Sequence, residues 1–181
     1  DFARQFVKDN ELLTRIGCSA LLHDVGKAMI PFDILHAARR LTDEERAEME
    51  RHSTLGAKLL LDVADSDPLA IATAFNHHRT YDGGGYPKVL SGVETSATTR
   101  LVKICDVYEA LTANRPYKAG MPPTDAYKIM LKMCSEGHFD PGMLREFILR
   151  NGIFPVGYEI RLSTGECAVV EQQSEDLVRP V

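Results

Sequence analysis

Leu21-Leu22-His23-Asp24-Val25-Gly26-Lys27 closes an apolar helical segment with an imidazole, a carboxylate and, past a glycine, an ammonium. Upstream, Leu12, Leu13, Ile16, Ala20 and Leu21 recur at helical spacing, with Asn10 as the expected N-cap. Burying an unpaired carboxylate beside an imidazole is costly, so the pair needs a partner. A divalent metal ion suits it, because neutral imidazole nitrogen and carboxylate oxygen both donate to one. A His-Asp dipeptide alone is equally a helix-end acid beside a core histidine. The rest of the chain decides between them.

Outward from this stretch the chain reads as consecutive helices. Thr42 with Glu45 forms a capping box for one long helix that sets Met49, His52, Leu55, Gly56 and Leu59 on a single stripe. Pro68 fits the first turn of a helix ending near His77 and His78. Asp82 to Pro87 holds three consecutive glycines and must be a loop. Leu101, Ile104, Cys105, Tyr108 and Leu111 mark a helix closed by Pro116. Thr124 caps a further helix that stops at Gly137, and Asp140-Pro141 opens the last, which stops at Asn151-Gly152. From Tyr158, two short apolar-rich stretches flank Ser163-Thr164-Gly165, as in a β-hairpin. The expectation is an all-α bundle over about 10–151 with a small hairpin appendage over about 154–172, one domain across 1–181. Asp1 to Gln5 reads as the tail of a helix truncated at its upstream end.

Composition narrows the function. With 44% apolar and 26% charged residues in 181, the chain has the balance of a soluble globular protein. It holds no run of about 18 apolar residues, so no membrane contact is expected, and its first residues do not form a signal peptide. A net charge of −5 argues against a nucleic-acid polymer as ligand, though not against one nucleotide held by local cations. Cys18, Cys105, Cys134 and Cys167 form no C-x-x-C pair. Cys18 and Cys105 read as small buried hydrophobes of a reducing cytoplasm.

His52 falls on the apolar stripe of its helix, where a lone histidine is most simply a satisfied core residue. His77-His78 sits where a helix runs into the glycine loop. Asp106 lies between Cys105 and Val107, an odd place for an acid unless it caps or pairs. Together His23, Asp24, His52, His77, His78 and Asp106 bring six nitrogen or oxygen donors from four helical segments. That mixture suits Fe, Mn or Zn better than Mg. Six exceed what one catalytic metal needs, so two ions bridged by Asp24, about 3.5–4 Å apart, are the economical expectation.

His23-Asp24-Val25-Gly26-Lys27 followed by Ile30-Pro31 and Ile34-Leu35 resembles the opening of HD-GYP domains in the HD superfamily. So does His77-His78 with Asp82-Gly83-Gly84-Gly85-Tyr86-Pro87. Asp106-Val107-Tyr108-Glu109-Ala110-Leu111-Thr112, Arg115-Pro116-Tyr117-Lys118, Phe139-Asp140-Pro141 and Phe154-Pro155-Val156-Gly157 extend the resemblance over essentially the whole chain. Two positions depart from the family: Arg79 stands where Glu is usual, and no histidine precedes His23 to supply the upstream ligand.

The resemblance implies a phosphodiesterase converting c-di-GMP to pGpG or onward to GMP, with two divalent metals, or three with the upstream ligand, Fe or Mn first. It also implies a cytoplasmic domain behind an upstream sensor or receiver, with a diguanylate cyclase or other signalling protein, or a second copy, as partner. The six donors would hold the metals. Lys27 would hold the phosphate or protonate the leaving oxygen beside Asp24. Arg115 and Lys118, which without the resemblance are surface cations, would clamp phosphate. Gly85 and Tyr86 would border a guanine. Two alternatives stay open: cleavage of cyclic GMP-AMP, and a silent module that senses the nucleotide or adapts a partner. Arg79 and the missing ligand favour the silent module; six retained donors disfavour it.

Overall fold

The computed structural model describes residues 2–90, 92–114 and 119–174. Helices α1 (Asn10–Leu22), α2 (Phe32–Leu35), α3 (Asp43–Glu50), α4 (His52–Leu61), α5 (Pro68–Asn76), α6 (Ala97–Thr112), α7 (Pro123–Ser135) and α8 (Pro141–Asn151) follow one another. Tight 3-10 turns cover Phe2–Gln5 and Val25–Met29. Strands β1 (Glu159–Arg161) and β2 (Cys167–Val169) pair antiparallel with Ile160 opposite Ala168, so the fold is helical with the small hairpin its sequence implies.

Short polar residues begin the helices by taking up otherwise orphaned N–H groups. Thr42 and Glu45 form the reciprocal capping box, at 2.9 and 3.2 Å. Asp67 accepts from the Leu69 amide and also binds Arg15 of α1 through two contacts of 2.6 and 3.0 Å, fixing α1 against the start of α5. Asp140 accepts from the Gly142 and Met143 amides, and Gly152 ends α8 at φ 72°, where a side chain would be strained.

Two apolar clusters hold the helices together. The larger joins Phe2, Ile16, Leu101, Ile104, Tyr127, Met130, Phe139, Leu144 and Phe147, tying α6, α7 and α8 to the first turn. The smaller joins Leu60, Ala70 and Ala74 under Leu22 and Val25, seating α4 and α5 against the end of α1. Its alanines let the backbones approach, and this end carries the site.

Several local expectations are corrected. Asp9, not Asn10, caps α1, because its extended backbone lets the carboxylate accept from Glu11. Leu21 is 85% exposed: the inner stripe of α1 passes through Ile16 and Ser19. Cys18 lies on that outer face and is exposed rather than buried. The long helix after Thr42 divides at Arg51, whose amide bonds to Glu48 O in a tightened turn, and Leu60 rather than Leu59 reaches the core. Thr124 lies inside the first turn of α7, whose start is fixed by Pro122 and Pro123.

Candidate metal centre

His23 is the C-terminal cap of α1 and Asp24 opens the following 3-10 turn. That turn presses against the start of α4 through Gly26. A Cβ on Gly26 would lie 1.9 Å from the His52 carbonyl oxygen and 2.4 Å from the Gly56 nitrogen. Only two glycines allow this approach, and it brings Asp24 up to His52.

His52 begins α4, His77 caps α5, and both rings are nearly sealed, their residues 1% exposed. Three rings are held alike. His23 Nδ1 donates to Ala20 O at 2.6 Å, His52 Nδ1 to Met49 O at 2.7 Å, and His77 Nδ1 to Ala74 O at 3.0 Å and Thr73 O at 3.2 Å. A carbonyl can only accept, so each neutral ring carries its proton on Nδ1 and turns a bare Nε2 lone pair inward.

These lone pairs meet one another and Asp24. His52 Nε2 lies 3.2 Å from His77 Nε2 and 3.1 Å from His78 Nε2. Asp24 Oδ1 is 3.4 Å from His52 Nε2 and 3.6 Å from His77 Nε2. One donor atom from each of Asp24, His52, His77 and His78 falls within 4.8 Å of all the others. On the other side of the carboxylate, His23 Nε2 lies 3.3 Å from Asp24 Oδ2 and 3.7 Å from Asp106 Oδ1. His23 Nε2 and Asp24 Oδ1 are buried without a hydrogen-bond partner.

Electrostatics divide the rings: without a cation His23 holds a second proton, on Nε2 between the two carboxylates, whereas His52 and His78 stay neutral. Burial opposes charge on His23, but the Asp106 and Asp24 carboxylates outweigh it and push the ring up to about 10. Burial, then the neighbouring His77 and His52, pushes His78 down to about 2, and burial also lowers His52. Burial works against the Asp24 carboxylate, yet His23, His77 and Lys27 together hold it well below the usual carboxylate range. The lone pairs of His52 and His77 converging on Asp24 are a donor set that a divalent cation satisfies, and a cation at His23, Asp24 and Asp106 would take the place of the proton held there.

The structure thus brings all six sequence-derived donors to one place, four in a tight group with His23 and Asp106 beside it. Lys27 Nζ reaches Asp24 Oδ2 at 2.5 Å with its side chain 40% exposed. The Tyr86 ring stacks on His78, centroids 4.5 Å apart. Gly85 is required where it stands: at φ 73° a Cβ would meet His78 O at 2.3 Å. Arg115 and Lys118 lie outside the described residues. Arg79, 3% exposed, donates to Val93 O at 2.6 Å and to Asn76 Oδ1 at 3.3 Å, and it engages none of the six donors. Sequence reasoning named Gly26 in its motif and Gly56 on its helix stripe without showing that the two backbones meet. It missed Lys103, whose Nζ donates to His78 O at 3.2 Å from within α6.

Helices that converge imidazoles and carboxylates on one pocket define a class of metal-dependent domain, and the comparisons give its family. The model of the HD domain matches residues 1–143. The chain belongs to the HD domain family, and its motif blocks resemble those of HD-GYP domains. It is 39% identical over 179 residues to the cyclic di-GMP phosphodiesterase PA4108 of Pseudomonas aeruginosa, covering 98% of this chain and 43% of that one. It is 32% identical over 149 residues to the 3′3′-cGAMP-specific phosphodiesterase 1 of Vibrio cholerae, 82% of this chain and 34% of that one. A cyclic di-GMP phosphodiesterase of Vibrio cholerae is 40% identical over 136 residues, 72% and 27% of the two chains. The chain spans under half the length of these relatives. Among solved structures, Bd1817, a HDG"Y"P protein from Bdellovibrio bacteriovorus, shares the fold at a TM-score of 0.64 and 23% identity, over 80% of this chain and 46% of that one. Among the described residues, no helix is long and apolar enough to cross a membrane.

Proposed function

We propose that this domain hydrolyses a 3′,5′-phosphodiester bond of a cyclic dinucleotide, c-di-GMP first, giving pGpG, or GMP where the second bond is cut as well. The observation that carries the reading is the convergence of three carbonyl-locked imidazoles on the two oxygens of Asp24. The names of the relatives supply the substrate class.

Asp24 divides the donors into two sets. Its Oδ1 faces His52 and His77, with His78 beside them, and its Oδ2 faces His23, with Asp106 beyond. Two divalent ions, Fe or Mn, would be held by these two sets of residues, His52, His77 and His78 on one side and His23 and Asp106 on the other, with Asp24 available to both. When bound, such ions acidify water toward neutral pH and offset the charge of the phosphate. The Nδ1 locks keep His23, His52 and His77 in the ligating tautomer, so no ring needs to reorient. Lys27, exposed at the rim beside Asp24, meets the phosphate or gives a proton to the leaving oxygen. Tyr86 walls the site on the His78 side, excluding water there. The clamp role of Arg115 and Lys118 rests on the family resemblance. A cytoplasmic location follows from the same reading, since the substrate is an intracellular messenger.

The test is c-di-GMP turnover by the full-length protein, purified anaerobically and supplied with Fe or Mn. Appearance of pGpG or GMP, lost in Asp106→Ala, is the expected result. Bound metal and bound nucleotide with no product would replace the enzyme reading with that of a sensor or adaptor. A second substrate, 3′3′-cGAMP, belongs in the same assay because relatives bear that name.

A further inference from the structure

Tyr86 borders more than the metal centre. It is also a wall of a cleft of about 490 Å³ between the α3–α4 junction and the glycine loop, where Glu50, Arg51, Thr54, Gly85 and Lys88 line the space. That volume lies in the range of small-ligand sites, about 300–1,000 Å³. Glu50 ends α3 two residues before His52 and is partly buried. Its neighbour Arg51 is committed to Glu48, at 2.7 and 2.9 Å, and among the described residues Glu50 itself makes no close ion pair. The Tyr86 ring meets His52, two residues past Glu50, in a T-shaped arrangement with centroids 6.1 Å apart. Glu50 and Tyr86 thus line one cleft at the edge of the metal centre.

A carboxylate presents two acceptors side by side and no donor. The Watson–Crick edge of guanine presents two adjacent donors, N1–H and the N2 amino group. Adenine sets a bare N1 lone pair beside its amino group, which the carboxylate repels. Lys88, on the same wall and exposed, carries a donor for guanine O6 or N7. We propose that Glu50 is a specificity-determining residue that reads the Watson–Crick edge of one guanine seated beside Tyr86. The proposal rests on the cyclic-dinucleotide reading above and assigns the choice of base within it.

The experiment compares metal-loaded wild type, Glu50→Gln and Glu50→Ala. The readouts are kcat/KM for c-di-GMP, c-di-AMP and bis(p-nitrophenyl) phosphate, and equilibrium binding of GMP and AMP. Losing a charged hydrogen-bond acceptor is expected to cut kcat/KM for c-di-GMP about 10–100-fold beyond any change with bis(p-nitrophenyl) phosphate. The preference for GMP over AMP should collapse in both variants. An equal loss on the base-free phosphodiester would overturn the proposal and make Glu50 a support for His52. An undiminished guanine preference would overturn it as well. If the wild type cleaves only the base-free substrate yet binds GMP over AMP through Glu50, the phosphodiesterase reading fails and the Glu50 assignment stands. If GMP and AMP then bind alike, both fall.

Discussion

His52 Nε2 and His77 Nε2 face each other across 3.2 Å, and neither has a proton to offer the other, because each ring already donates Nδ1–H to a backbone carbonyl. Two lone pairs at that distance repel. The arrangement persists because the smaller apolar cluster packs α4 and α5 together beneath the rings, and a cation between them turns repulsion into ligation.

Metal content should therefore depend on Asp24 more than on any other acid. In Asp24→Ala both sets of donors lose their shared carboxylate, and metal measured by plasma mass spectrometry should fall to background. In Asp106→Ala part of the metal should remain, with turnover reduced beyond the roughly 10–100-fold typical of outer-shell changes. Both variants should keep the helical circular-dichroism signal. Removing metal from wild type with a chelator should lower its stability by about 3 kcal/mol if the metal had been present at about 100 times its dissociation constant. Asp24→Ala should not respond. Wild-type metal content in Asp24→Ala would remove the bridging role.

Gly26 and Gly17 make a matched pair. Both are glycines near α1, but a Cβ on Gly26 would strike the His52 carbonyl and Gly56, whereas one on Gly17 meets nothing within 4 Å. Gly26→Ala should cost at least the roughly 1–3 kcal/mol of overpacking and loosen Asp24 from His52, lowering metal retention with stability. Gly17→Ala should stabilise by about 0.5–1 kcal/mol through helix propensity. Thermal unfolding with and without metal reads both. A neutral Gly26→Ala would mean the turn can move away from α4 without harm.

That pair marks the boundary of what sequence can reveal. Thr42 with Glu45, Pro68, Asp140-Pro141 and Gly152 act within one turn of chain, so their helix ends were readable from residue type alone. His52 was readable as inward-facing because its helix carries one apolar stripe. The face that α1 turns inward is set by its partner helices, so Leu21 and Cys18 came out exposed where local spacing placed them inside. The six donors were legible as residues. Their Nδ1 locks were not, since the acceptors are backbone carbonyls that every residue possesses. Nor was the Gly26–Gly56 approach, a contact between segments 30 residues apart in the chain.

Arg79 occupies the position where the family usually has Glu, yet its guanidinium ties the segment containing Val93 to the end of α5 rather than entering the metal pocket. Arg79→Met should leave Val93 O without its donor inside the protein and cost about 1–3 kcal/mol in urea unfolding. Metal content per folded molecule should stay at the wild-type level. A loss of metal that outpaces the loss of stability would tie Arg79 to the centre.

Lys103 gives the fold a pH signature. Burial pushes its ammonium down to about 8, against a partial pull upward from Asp106 and Asp82. A folded-state pKa below the unfolded value near 10.4 means that the unfolded chain binds more protons between those limits. Stability must then rise with pH across that window, and the cost of holding the charge inside is present in full below about 8. The size of the shift corresponds to about 3 kcal/mol as an upper bound. Urea unfolding of metal-free protein between pH 7.5 and 10, at about half-unit steps, should show this rise in wild type and a flatter profile in Lys103→Met. Lys103→Met also removes the donor to His78 O, so its gain at neutral pH should be smaller than the pH-dependent part in wild type. Parallel profiles in the two proteins would show that Lys103 stays charged in the folded state through that range, its ammonium solvated rather than enclosed.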